Sequence, residues 1–209
     1  MKNITIILSF LLSTSILGQE ELSYQVPKKE LFDLIDVDLA PSVLRNTKNS
    51  ILVLLSRSTY KSIADLSKNE LRIAGLRVDP KRYIGSRTTY FNKVELIDLE
   101  KGKKSISIKG LPNNPQLSNF IWSPDEKKIA MTHTSDSGVE LWVLDIDARQ
   151  AKKLTSSHIN STMGNSINWL KNSKRLLVKC LPKNREKIID KSLIIPTGPK
   201  VTENNGEKA

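Results

Sequence analysis

The chain has 209 residues, 38% of them hydrophobic, a formal net charge of +11 and a single cysteine. That apolar content supports a packed core, which excludes disorder as the default state, and one thiol, Cys180, excludes an internal disulfide framework. The charge raises the question of a polyanion partner, but Lys28, Lys48, Lys61, Lys93, Lys127, Lys152 and Lys171 stand apart, mostly at turns, with little aromatic interleaving. The expectation is a solvated basic surface and no nucleic-acid partner.

At the amino terminus Met1-Lys2-Asn3 precedes an apolar run from Ile4 to Leu17, and Gly18-Gln19-Glu20 ends it. A short basic start, an apolar centre too short to cross a bilayer and a small residue before a polar stretch predict a secretory signal peptide over residues 1–18. Cleavage after Gly18 leads to an exported mature chain, periplasmic or secreted, and the absence of a cysteine after the apolar run argues against a lipid anchor. No later stretch approaches the roughly 20 apolar residues of a membrane helix, so no membrane span is expected in the mature chain.

Residues 19–209 read as an incomplete domain built from repeats. A first unit, about 40–110, opens with the hairpin Val43-Leu44-Arg45-Asn46-Thr47-Lys48-Asn49-Ser50-Ile51-Leu52-Val53. It continues through Lys93–Leu99, a turn at Glu100–Lys103 and a strand at Ser105–Ile108. Between its second and third strands lies an insertion, 60–88, that includes Ile63-Ala64-Asp65-Leu66 and Glu70-Leu71-Arg72-Ile73-Ala74-Gly75-Leu76-Arg77 and reads as partly helical. Long loops on a repeated scaffold usually carry function.

The second unit, about 117–156, carries the hairpin from Phe120 to Met131, in which Pro124 and Asp125 set the turn. Val139–Asp147 is a buried strand and Ala151–Thr155 a short outer one. A third unit starts at about 165 with Ile167–Val178, where Trp169 stands as Trp122 does in the second, and the chain after Pro182 shows no periodicity. Four antiparallel strands recurring at roughly 40 to 50 residues are the signature of a propeller blade. The fold class expected is therefore all-β: a partial β-propeller of about two and a half four-stranded blades, with the insertion in the first. Closure takes roughly four or more blades, so such a piece presents open edges.

The chemistry-bearing residues are sparse. Gly164-Asn165-Ser166-Ile167-Asn168 approaches the G-x-S-x-G nucleophile elbow but lacks the closing glycine and leads into a strand, so Ser166 is not expected to be catalytic. His133, at a strand end, and His158, in a loop, read as surface or structural residues. Two histidines, one cysteine and acids without ligand spacing make no metal site, and no Gly-rich phosphate loop is present, so neither a metal nor another cofactor is expected. Asp145 and Asp147 end a strand and start its turn. The three tryptophans read as core residues, with Trp142 open to the alternative of facing a central channel.

The run Glu70-Leu71-Arg72-Ile73-Ala74-Gly75-Leu76-Arg77-Val78-Asp79-Pro80, followed by Ser86-Arg87, resembles an insertion in the first blade of glutamyl endopeptidases, a branch of the prolyl oligopeptidase family. Tyr24-Gln25-Val26-Pro27 with Leu34-Ile35-Asp36, the Trp122-Ser123-Pro124-Asp125 hairpin and Pro196-Thr197-Gly198-Pro199-Lys200 resemble the same branch in the same order. The resemblance implies a propeller that caps a carboxy-terminal α/β-hydrolase domain, limits access to peptides of modest size and helps frame the active site. It implies cleavage of peptide substrates, after glutamate, through a hydrolase domain whose Ser, Asp and His lie beyond Ala209. No catalytic residue carries over to a position in this chain. If the insertion meets substrate, Arg77 and Arg87 are the candidates to face an acidic side chain, since arginine pairs well with carboxylates.

Two functions follow as expectations. One is the amino-terminal propeller part of an exported serine peptidase, not catalytic alone. The other is a non-catalytic exported binding module that completes its ring by assembly.

Overall fold

The structure, a computed structural model, describes residues 26–102 and 104–185. The expected signal peptide, the Tyr24 and Gln25 positions and the Pro196–Lys200 motif lie outside the described residues. The chain divides into two units, Met1–Asp38 and Leu39–Ala209. In the first, α1 (Lys29–Ile35) is a two-turn helix with an Lys29–Asp33 ion pair of 2.6 Å one turn apart.

The second unit is strand-dominated, with one helical turn, α2 (Ile63–Leu66), among its described residues. Its first sheet has the order β1-β2-β6-β7, formed by β1 (Ser42–Arg45), β2 (Ile51–Ser56), β6 (Lys93–Asp98) and β7 (Ser105–Ser107). The second sheet has the order β11-β10-β9-β8, formed by β8 (Leu117–Trp122), β9 (Lys128–Ser135), β10 (Gly138–Asp145) and β11 (Gln150–Lys153). A two-stranded sheet follows, β12 (Ile167–Trp169) with β13 (Leu176–Val178). All three are antiparallel.

The second sheet lies between two apolar clusters, which is why β9 reads as a nearly continuous buried run instead of alternating with polar residues. One face sends Ile129, Met131 and Leu144 into a core with Val53, Leu55, Val94 and Leu96 of the first sheet. The other sends Ala130, Val139 and Leu141 into a core with Ile167, Ile159 and Ile84, flanked by Trp169, Leu176 and Val178.

Three hairpins share one backbone design. Arg45 pairs with Leu52, Trp122 with Ile129 and Trp169 with Leu176. Thus Arg45, not the neighbouring Leu44, takes the place of the tryptophans. In each loop the next residue donates its N–H across the hairpin: Asn46 to the Ile51 carbonyl, Ser123 to Lys128 and Leu170 to Arg175. Three residues further on, Asn49, Glu126 and Ser173 have φ of 54°, 59° and 57°. Each returns its N–H to the start of the loop, at Asn46, Ser123 and Leu170. Left-handed backbone in a side-chain-bearing residue is uncommon, so its recurrence at one loop position is a structural repeat beneath dissimilar sequences.

These turns also touch in series. The Thr47 N–H donates to the Glu126 carboxylate at 2.7 Å, and the Asp125 N–H donates to the Ser173 hydroxyl at 3.0 Å. The left-handed residue of one hairpin therefore holds the loop of the hairpin before it. Trp169 adds a third link, its Nε1 donating to the Ile121 carbonyl at 3.1 Å.

The insertion is partly helical, as read from the sequence: α2 is its helical part, capped by Ser62, whose hydroxyl accepts from the Asp65 N–H at 3.1 Å. The rest is a three-stranded sheet in the order β3-β4-β5, formed by β3 (Leu71–Ile73), β4 (Leu76–Asp79) and β5 (Ile84–Gly85). Ala74 and Gly75 explain it: with φ of 45° and 83° they form the two-residue turn that joins paired Ile73 and Leu76.

Candidate functional site

The strand pairings sort the connections of the second unit onto two rims. The loops 46–50, 123–127, 146–149 and 170–175 lie at one rim and are short. At the other rim lie the 57–92 connection, the 114–116 loop that leads into β8 and the 154–166 segment. Long connections on a rigid scaffold are where binding residues gather, so the second rim is where a site is expected.

The insertion is anchored across this rim. Asn92 closes its base, donating its N–H to the Ser56 carbonyl at 2.9 Å and its amide to the Ser58 hydroxyl at 3.0 Å. Ile84, 1% exposed, enters the core shared by the second sheet and the third hairpin. Beside it the Ser161 N–H donates to the Tyr83 carbonyl at 2.8 Å, and the Arg185 guanidinium lies 4.5 Å from the centroid of the Tyr83 ring. Asp79 and Arg82 form a buried ion pair at 2.6 Å, and the same carboxylate accepts the N–H groups of Lys81 and Arg82 at 3.0 and 3.1 Å. A buried pair with its remaining lone pairs satisfied fixes geometry more than it adds stability.

Between the insertion and the 114–116 loop is a cleft of about 940 Å³. Its lining holds six cationic side chains, Arg57, Lys61, Lys68, Arg72, Arg82 and Arg87, against three carboxylates, Asp65, Glu70 and Asp79. Each carboxylate is already engaged. Asp65 pairs with Lys68, which holds its carboxyl below the usual range. Glu70 accepts from Ser86 at 2.8 Å, Arg72 at 3.0 Å and Arg77 at 2.6 Å, and these donors hold its pKa at about 2. Asp79 is committed to Arg82. Arg57, Lys61 and Arg87 have no hydrogen-bond or ion-pair partner among the described residues. At the far wall the Gln116 side-chain oxygen is buried and accepts no hydrogen bond among the described residues.

The two arginines singled out from the sequence differ in their surroundings. Arg77 is half-exposed and tied to Glu70, outside the cleft lining. Arg87 is exposed and lines the cleft, in a turn where Thr88 donates both its N–H and its hydroxyl to the Gly85 carbonyl. Arg57 and Lys61 were missed. Their only signal in the sequence is position, directly after the apolar run of β2 and directly before the Ser62 cap.

At the same rim is a buried polar network on the second sheet. Glu140 accepts from Lys153 at 2.7 Å, Trp142 Nε1 at 3.0 Å, the Ser157 hydroxyl at 3.0 Å and His133 Nδ1 at 3.3 Å. Burial by itself would push its pKa up; the donors, Lys153 foremost, outweigh it and hold the pKa at about 2. His133, buried beneath the rim, is thereby a structural residue, and Trp142 packs against the core shared with the first sheet. His158 is half-buried, its Nδ1 2.9 Å from the Ser156 hydroxyl, and Ser166 is buried beneath Ser161. Neither has a histidine–carboxylate relay beside it among the described residues. No group of three or more metal-ligating side chains occurs among the described residues.

No protein-family profile matches the sequence. Two curated relatives do. One, from Oryza sativa subsp. japonica, is described as a probable glutamyl endopeptidase, chloroplastic; it is 26% identical over 201 residues, covering 90% of this chain. The other, from Arabidopsis thaliana and described in the same words, is 28% identical over 191 residues, covering 87%. The chain is similar in sequence to proteins described as probable glutamyl endopeptidases. The resemblance read from the insertion and the Trp-Ser-Pro-Asp hairpin is thus borne out along most of the sequence. The chain spans about a fifth of the length of these relatives, 21% and 20%. Among solved structures, Pyrococcus horikoshii acylaminoacyl peptidase superposes with a TM-score of 0.40 at 18% identity, covering 76% of this chain and 20% of that one. An acylaminoacyl peptidase in complex with Z-Gly-Gly-Phe-chloromethyl ketone gives 0.40 and 18%, covering 80% and 21%.

Proposed function

We propose that the chain supplies the amino-terminal β-propeller part of an exported serine peptidase of the prolyl oligopeptidase type. In this reading the first sheet with its insertion is the first blade, the second sheet is the second blade, and the third hairpin opens a third. The parent enzyme hydrolyses peptides, after glutamate as the relatives' description suggests, and this part frames access to an α/β-hydrolase domain without cutting on its own. Export rests on the basic–apolar–polar pattern of residues 1–18.

The observation that carries the reading is the three-fold hairpin with its turn-to-turn bonds, in a chain whose similarity to glutamyl endopeptidases covers 90% and 87% of its length. A repeat whose units are linked in one direction is suited to being extended by further units. The test is to read the DNA downstream of the Ala209 codon in all frames. The expected result is more four-strand repeats and then a G-x-S-x-G segment placed between a strand and a helix. Unrelated sequence there, with the purified chain forming a stable closed oligomer, would overturn the reading in favour of a binding module.

A further inference from the structure

The cleft under the insertion has a charge imbalance of a particular kind. Its three carboxylates are neutralised inside the protein, while Arg57, Lys61 and Arg87 face the same space with no partner among the described residues. Cations gathered in a concave surface focus their field on the enclosed water, and guanidinium groups fit carboxylates in a two-point geometry. The ligand that answers this imbalance carries an anionic oxygen pair, and the carboxylate of a peptide has one.

We infer that this cleft is a carboxylate-anchoring subsite for peptides, with Arg57, Lys61 and Arg87 receiving the carboxylate. The inference rests on the peptidase reading for its ligand class, but it concerns a site on this chain and is tested without hydrolysis. The carboxylate has two sources, the free carboxy terminus of a peptide or an acidic side chain within it, and the two are separable by synthesis.

The experiment is a titration of the purified full chain with fluorescein-labelled hexapeptides followed by anisotropy. The first, Ala-Ala-Ala-Ala-Ala-Ala, has a free carboxy terminus; the second is its carboxamide; the third is the carboxamide with glutamate at the fourth position. A terminal anchor binds the first and not the other two; a side-chain anchor binds the third and not the second. In either case Arg57→Gln, Lys61→Gln and Arg87→Gln each weaken binding about five- to tenfold, and binding falls as salt is raised. Lys171→Gln, the same charge change on the opposite rim, leaves it unchanged. Circular dichroism confirms that each variant is folded. Equal binding of all three peptides, no binding of any, or equal loss in Lys171→Gln overturns the inference. Those outcomes leave the downstream sequence, and with it the proposed function, untouched.

Discussion

Replacing Glu140 with glutamine tests whether the buried carboxylate network holds the second sheet together. The Glu140 side chain is 7% exposed and accepts from Lys153, Trp142, Ser157 and His133. Glutamine keeps the shape, removes the charge and turns an NH₂ group toward donors that have nowhere else to go. At pH 7 the expected loss is about 3 kcal/mol, since removing one partner of a buried pair leaves the other uncompensated.

The pH dependence makes the test specific. The folded-state pKa, about 2, lies below the ordinary 4.5, so protonation favours the unfolded chain. The contribution is whole above the ordinary value and is lost as pH falls through the folded one. That gap corresponds to at most about 3 kcal/mol. Lys153 is half-exposed and screened by solvent, which brings the expectation to about 2 kcal/mol. Urea unfolding followed by tryptophan fluorescence at several pH values supplies the measurement, and the difference between wild type and Glu140→Gln isolates this group from other titrating carboxylates. The stability gap should narrow by about 2 kcal/mol between about pH 5 and about pH 2. A gap that is constant with pH, or below about 0.5 kcal/mol at pH 7, would refute the reasoning.

Three further substitutions probe the frame. Ser173→Ala removes the acceptor of the Asp125 N–H and should cost about 1 kcal/mol in urea unfolding, whereas Ser173→Asn, which keeps an acceptor and tolerates the left-handed backbone, should restore most of it. Ile84→Ala should cost about 2–4 kcal/mol and, by loosening the anchor of the insertion, expose Arg57–Asn92 to trypsin under conditions where wild type is resistant. Gly110 has φ of 73° and a Cβ there would lie 2.6 Å from the Ala151 carbonyl oxygen. Gly110→Ala should therefore lower the melting temperature, with a cost of about 2 kcal/mol, by disturbing the Lys109–Ala151 backbone bond.

Local features were legible in the sequence where a short stretch decides the structure. The Trp122–Asp125 turn and its counterpart at Trp169 mark hairpins through residues a few positions apart, and the structure pairs Trp122 with Ile129 and Trp169 with Leu176. The first hairpin is visible in the sequence, but without an aromatic residue to mark its register. Arg45 occupies the position that the aromatic pattern assigns to an apolar side chain. In the insertion, Ala74-Gly75 carries the hairpin signal, yet the apolar spacing on either side of it mimics a helix. The Glu140 network was hidden because its donors come from β9, β10, β11 and the loop after it, brought together only by strand register. The same holds for the cleft. Arg87 could be suspected from its motif, while Arg57, Lys61 and Gln116 converge on it through the fold and through no pattern of their own.

The bonds from Glu126 to Thr47 and from Ser173 to Asp125 also determine where this protein can grow. A residue added to one of the tight loops would displace both its left-handed side chain and the N–H that it holds, so two neighbouring sheets would lose alignment at once. At the opposite rim the bonds between neighbouring units fall at separate points, Ser161 to Tyr83 and Phe91 to Leu117, and the long 57–92 connection has stretches between them that bridge no sheets. Insertions are therefore better tolerated on one side of the molecule than in the turns on the other. The side free to change is the one that bears the cleft.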